Sequence, residues 1–200
     1  MAYIIAADDI KETLPGYTPA QAEGFHETSA KLADKAYAQA LKERPERAVI
    51  LMSGGAASGK TEYVSEYLTN SSAIVLDGTL PTLEGARIKI RNAYKANRPI
   101  EVHSVLPSSL SFAFIAFLNR DRKFPVEHFY RTHSSSRKTL LEIAEQFPDV
   151  SIKIFMSHGD PAPGMIFTEP EFANRQQMIE FVKSQQYTEE EIRNRIYHDK

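Results

Sequence analysis

Gly54 through Thr61 read GGAASGKT, a spacing of glycines, lysine and threonine that suits one chemistry, the cradling of a polyphosphate. Glycines let the backbone curl so that successive N–H groups converge on an anion. Lys60 brings a positive charge to the terminal phosphates, and the Thr61 hydroxyl can hold Mg²⁺. Gly54, Gly55, Ala56, Ala57, Ser58, Gly59, Lys60 and Thr61 are therefore the expected binding site for ATP or GTP with Mg²⁺. Helical sequence from Lys60 to Tyr67 follows at once, so the positive end of a helix dipole would also face the anion.

Such a loop says only that a nucleotide is held, so neighbouring residues must decide the reaction. Asp77 closes an apolar run, Ala73 to Leu76, and is followed by Gly78 and Thr79. A carboxylate at that strand end reaches either Mg²⁺ or an acceptor hydroxyl, as a metal contact or as the general base of phosphoryl transfer. Thr79 would meet the acceptor. Arg120 and Arg122 lie in a polar stretch between two apolar helices, with Arg131 further on; guanidinium groups there can close over a transition state and stabilise its charge. The six histidines are scattered, and His128 and His133 are not spaced as a metal pair on one helical face. They read as surface or partly buried structural histidines, and Ser134, Ser135 and Ser136 as a surface turn or a helix interruption.

These residues need a scaffold that brings strand ends together. The run Ala48-Val49-Ile50-Leu51-Met52 reads as a strand buried on both faces, and further strands are expected at 73–76, 100–106 and 150–156. Helices are expected at 19–43, ending near Pro45, then at 83–97, 110–118 and from about 126 to 147. Strand and helix alternate, which predicts an α/β, P-loop kinase-like three-layer sandwich with a mostly parallel sheet. Residues 1–46 form an N-terminal helical segment, 47–168 the nucleotide-binding core and 169–200 a peripheral helical tail, all within one domain. Tyr3, Ile4 and Ile5 are a short apolar start, and 158–164 a Gly/Pro-rich loop.

Composition narrows the function. Hydrophobic content of 42% and charged content of 25% are those of an ordinary globular chain. A net charge of −2 provides no basic field for a polynucleotide backbone, which speaks against nucleic acid as the first partner. Cysteine is absent, excluding disulfides and thiolate chemistry and suiting a reducing cytosol. With no membrane-length apolar stretch and no leader-like start, a cytoplasmic location is expected.

In order and spacing, the loop, the Asp77-Gly78-Thr79-Leu80 strand end, the following helix and strand, and Arg122 before Pro125 resemble the zeta toxin family of P-loop kinases over about residues 24–156. The resemblance implies a phosphotransferase using ATP or GTP with Mg²⁺ on a small-molecule hydroxyl, a nucleotide-sugar among the acceptors. It also implies a small antitoxin partner that blocks the nucleotide site. Two departures stand out. The family carries a long segment with a catalytic Asp between the loop helix and the Glu-Gly-Thr strand, whereas only Glu62 to Leu76 separate Thr61 from Asp77 here. The family's second lid arginine also has no counterpart between Arg98 and Arg120, leaving Arg120 or Arg131 to stand in. Asp77-Gly78-Thr79-Leu80 also matches part of the haloacid dehalogenase signature, but its nucleophilic Asp position holds Val75, which excludes that chemistry. The alternatives are a nucleotide-binding interaction protein without transfer, or a polynucleotide or RNA-end kinase.

Overall fold

The computed structural model describes residues 1–44, 48–159 and 164–198. Strand β1 (Tyr3–Ala6) leads into a short helix α1 (Ala7–Glu12), a 3₁₀ turn (Pro19–Gln21) and helix α2 (His26–Glu43). Strand β2 (Ala48–Ser53) precedes the glycine-rich loop, and helix α3 (Lys60–Tyr63) continues as a π-helical turn, Val64–Leu68. Next come β3 (Ala73–Asp77), α4 (Leu83–Lys95), β4 (Ile100–Pro107), α5 (Leu110–Leu118) and α6 (Val126–Gln146). The chain continues with β5 (Ser151–His158), β6 (Ile166–Thr168), α7 (Arg175–Ser184) and α8 (Glu189–His198).

The strands form one sheet in the order β1-β3-β2-β4-β5-β6, parallel throughout except for the antiparallel β5–β6 pair. The expected α/β sandwich with a mostly parallel sheet is therefore present. Because β2 continues to β3 on one side while β4 lies on the other, the loop after β2 sits where the winding reverses, the usual ligand crevice of such sheets.

Period-two alternation in β2 sends Val49 and Leu51 to one face and Ile50 and Met52 to the other. The first face is covered by α2, α4, α6 and α7, through side chains such as Tyr37, Ile90, Ile143 and Met178. Tyr63, Val64 and Leu68 of α3 and its π turn cover the second. Helix starts follow their sequence signals: the side chains of Thr82, Ser109 and Asn174 accept hydrogen bonds from the first-turn amides of α4, α5 and α7.

Several sequence expectations need correction. The helix expected over 19–43 is broken, with a 3₁₀ turn at its start and α2 beginning only at His26. The break lets Pro19 present its carbonyl to the Lys123 amide at 2.9 Å, tying the N-terminal segment to the arginine-bearing stretch. Tyr3–Ala6 is an edge strand, with Ala6 in register with Asp77. Ser134–Ser136 lie inside α6, where Ser136 is buried and bonds back to the helix rather than facing water. The C-terminal tail is not merely peripheral, since Ile192 of α8 is fully buried in a cluster with Ala56 and Ala57 of the loop. Pro45, and residues 160–163 of the Gly/Pro-rich loop, lie outside the described residues.

Candidate nucleotide and phosphoryl-transfer site

Glycine is required where the loop leaves β2. A methyl group on Gly54 would stand 2.4 Å from the Val105 carbonyl oxygen, and one on Gly55 would stand 2.2 Å from the His133 ring. Further along, Ala57 (φ 58°) and Gly59 (φ 91°) adopt left-handed conformations that bend the backbone into a concave nest. Lys60 folds into this nest, donating to the carbonyl oxygens of Gly54 (3.0 Å) and Gly55 (2.7 Å). Burial pulls its ammonium pKa down to about 8. Such a group gains strongly from an anion placed beside it.

Helix α6 clamps the loop from behind. The Ala56 amide donates to Thr132 Oγ1 at 3.0 Å, and His133 Nε2–H donates to the Ala56 carbonyl at 2.8 Å. Arg137 Nη1 lies 3.0 Å from His133 Nδ1, so Nδ1 is the acceptor and the imidazole is the neutral Nε2–H tautomer. Burial, then the Arg137 charge, hold His133 well below its ordinary pKa. Ser157 at the end of β5 donates to the Ser58 carbonyl at 2.8 Å, completing the brace.

Thr61 Oγ1 lies 3.4 Å from Asp77 Oδ2, bringing the two expected metal-binding oxygens side by side. Burial raises the Asp77 pKa, while Lys60 and the Thr61 bond oppose the shift. Among the described residues no cage of three or more His, Asp or Glu side chains is present. Mg²⁺ in a nucleotide site needs only one or two protein oxygens beside the phosphates, and Thr61 with Asp77 fit that role.

Two hollows flank the loop and share Ala57 and Arg120. The inner cleft, about 100 Å³, is lined by Lys60, Thr61, Asp77 and Thr79 on one side. Its other side is formed by Asp8, Lys11, Arg122 and the rings of His26, Phe124 and His128. The outer groove, about 590 Å³, runs past Gly59 and Glu62 between Phe112, Ile115, Asn119 and Met165. Arg120 faces both, and burial followed by the neighbouring Arg122 lowers its pKa.

The structure thus gathers Lys60, Thr61, Asp77, Thr79, Arg120 and Arg122 around one cleft. Arg131 is exposed, does not line either hollow, and turns toward His128 at 3.4 Å. His128 and His133 are buried, not at the surface. Sequence reasoning missed Asp8 and Lys11, which α1 carries to the cleft, and the clamp of Thr132, His133 and Arg137. The i, i+4 spacing of His133 and Arg137 was the available signal for part of the clamp.

No protein-family profile and no curated protein sequence matches this chain. Solved structures do align with it. The native AvrRxo1-ORF1:-ORF2 complex matches with a TM-score of 0.52 and 14% identity, covering 90% of this chain and 82% of that one. The AvrRxo1-ORF1:AvrRxo1-ORF2 complex with sulphate ions gives a TM-score of 0.51 and 13% identity, covering 80% of this chain and 72% of the other. These likenesses concern the fold.

Proposed function

We propose that this protein is a P-loop phosphotransferase that uses ATP or GTP with Mg²⁺ to phosphorylate a hydroxyl of a small metabolite. The observation that carries the reading is the geometry of the nest: Lys60 is folded inside the loop, with Thr61 facing Asp77 directly beside it. Phosphates lying on the loop amides would take Lys60 from its carbonyl partners. The nucleoside would extend past Gly59 into the outer groove, whose exposed Phe112 and Ile115 suit the face of a base. The terminal phosphate then points into the inner cleft, where Arg120 and Arg122 supply positive charge. Mg²⁺ held by Thr61 and Asp77 would neutralise phosphate charge there.

The zeta-toxin-like order of motifs supports the same proposal. A small protein partner belongs to it as well, in keeping with the two-component AvrRxo1 complexes that share the fold. The test is calorimetry with ATP and GTP in Mg²⁺, together with γ-labelled transfer into a low-molecular-mass cell extract. Lys60→Ala is expected to lower transfer by about 100-fold or more. Undiminished turnover in that variant would remove the loop from the chemistry.

One observation favours a second reading, a nucleotide-binding interaction protein. The inner cleft at about 100 Å³ is smaller than a metabolite needs. Tight nucleotide binding without label leaving the γ position would select it.

A further inference from the structure

Phosphoryl transfer to a hydroxyl needs a group to receive that hydroxyl's proton. Among the described residues, Asp8 and Asp77 are the carboxylates lining the inner cleft. Asp77 is drawn toward the loop, with Oδ2 at 3.4 Å from Thr61 Oγ1. That pairing turns Asp77 toward the loop and the magnesium side.

Asp8 is placed differently. Ala6 pairs with Asp77 across the β1–β3 ladder, so the first turn of α1 lies over the same sheet end but one strand further from the loop. Its carboxylate is held from two sides, Oδ1 by Lys11 Nζ at 2.9 Å and Oδ2 by Arg122 Nη1 at 2.8 Å. Lys11 is itself buried and sits over the Phe124 ring. A carboxylate offers about four lone-pair sites, so each oxygen retains room for a further donor. The Asp8 side chain is 41% exposed, which leaves it open to an entering molecule.

We propose that Asp8 is the catalytic carboxylate, accepting a hydrogen bond from the acceptor hydroxyl and taking its proton, while Asp77 stays with Thr61 on the magnesium side. This rests on the phosphotransferase reading above. In the step, the acceptor oxygen forms a bond to the γ-phosphorus. The bond from that phosphorus to the β,γ-bridging oxygen breaks, and its electron pair leaves on the nucleoside diphosphate. The hydroxyl proton passes to an Asp8 oxygen and then to water. Although burial pushes Asp8 up, Arg122 and Lys11 hold it below the usual carboxylate range, so it is ionised when the acceptor arrives. Its weak basicity suits a loose transition state in which the proton moves late. Lys11 is a positioning residue, fixing the carboxylate against the cleft wall.

The full-length chain is assayed with γ-labelled ATP, Mg²⁺ and a low-molecular-mass cell extract as acceptor pool, counting label in organic and inorganic phosphate. Asp8→Asn is expected to lower transfer by about 100-fold or more, with MgATP affinity by calorimetry within about threefold of wild type. Asp77→Asn is expected instead to weaken the Mg²⁺ dependence of binding. Formate added to Asp8→Ala should restore part of the lost transfer, an effect a purely structural carboxylate would not show. Asp8→Asn that turns over within about threefold of wild type overturns the assignment. So does a loss no greater than that of Arg122→Ala and unchanged in the double variant, since Asp8 would then only brace Arg122. Wild type that binds no nucleotide fails the loop reading itself, and wild type that binds MgATP without releasing label to any acceptor, water included, overturns both.

Discussion

Gly55 has no space for a side chain, because the His133 ring occupies the place where a Cβ would project, 2.2 Å away. His133 cannot yield easily: both ring nitrogens are bonded, to Ala56 and to Arg137. Gly55→Ala is therefore expected to cost about 1–3 kcal/mol by overpacking and to displace the loop from α6. Urea denaturation with parallel nucleotide calorimetry reads both effects, and an unchanged midpoint with unchanged affinity would show that the ring moves aside freely. The sequence disclosed the glycine motif but not this reason for one of its members. Spacing within Gly54–Thr61 reports the ligand side of the loop, whereas the His133 contact arises from a helix far along the chain.

Helix α6 acts as the backing of the site, and Thr132 carries much of that task. Its hydroxyl accepts from the Ala56 amide while donating to the Phe129 carbonyl, all within buried surroundings. Thr132→Val keeps the shape but leaves the amide without a partner, which is expected to cost about 1–3 kcal/mol. Thermal melts should show this loss, together with weaker nucleotide binding; stability equal to wild type would mean the amide finds another acceptor. Long, strongly patterned elements such as α5 and the central strands were legible from apolar runs and caps. Short ones were not. In β1 only Ile5 is buried, so no alternation marks it as a strand, and α1 is too brief for a helical period. Those two elements bring Asp8 and Lys11 to the cleft, and hence these two charged groups escaped the sequence. Arg131 misled for the opposite reason: charge patterning placed it with Arg120 and Arg122, but it falls on the exposed side of α6.

Buried imidazoles give the whole molecule a pH dependence. Burial, with His26, Arg131 and Lys11 nearby, pulls His128 down to about 4, and His133 lies well below its ordinary 6.5. The unfolded chain then takes up protons first as pH falls through 6.5, so the contribution of these histidines to stability is constant above that value and declines below it. His128 alone is expected to cost about 2 kcal/mol near pH 5, at 1.36 kcal/mol per unit. Melting temperatures across this range should fall steeply, and His128→Gln should flatten the fall. A profile equally steep in that variant would assign the loss elsewhere.

Ala57 lines both hollows, together with Arg120, while its backbone turns left-handed. A ligand that spans both hollows passes between the Ala57 methyl group and the Arg120 side chain. How the loop turns there sets how far a terminal phosphate reaches into the inner cleft, and reaction rates are sensitive to displacements of about 1 Å. A bulkier residue at that position would crowd the seam at which the two hollows meet.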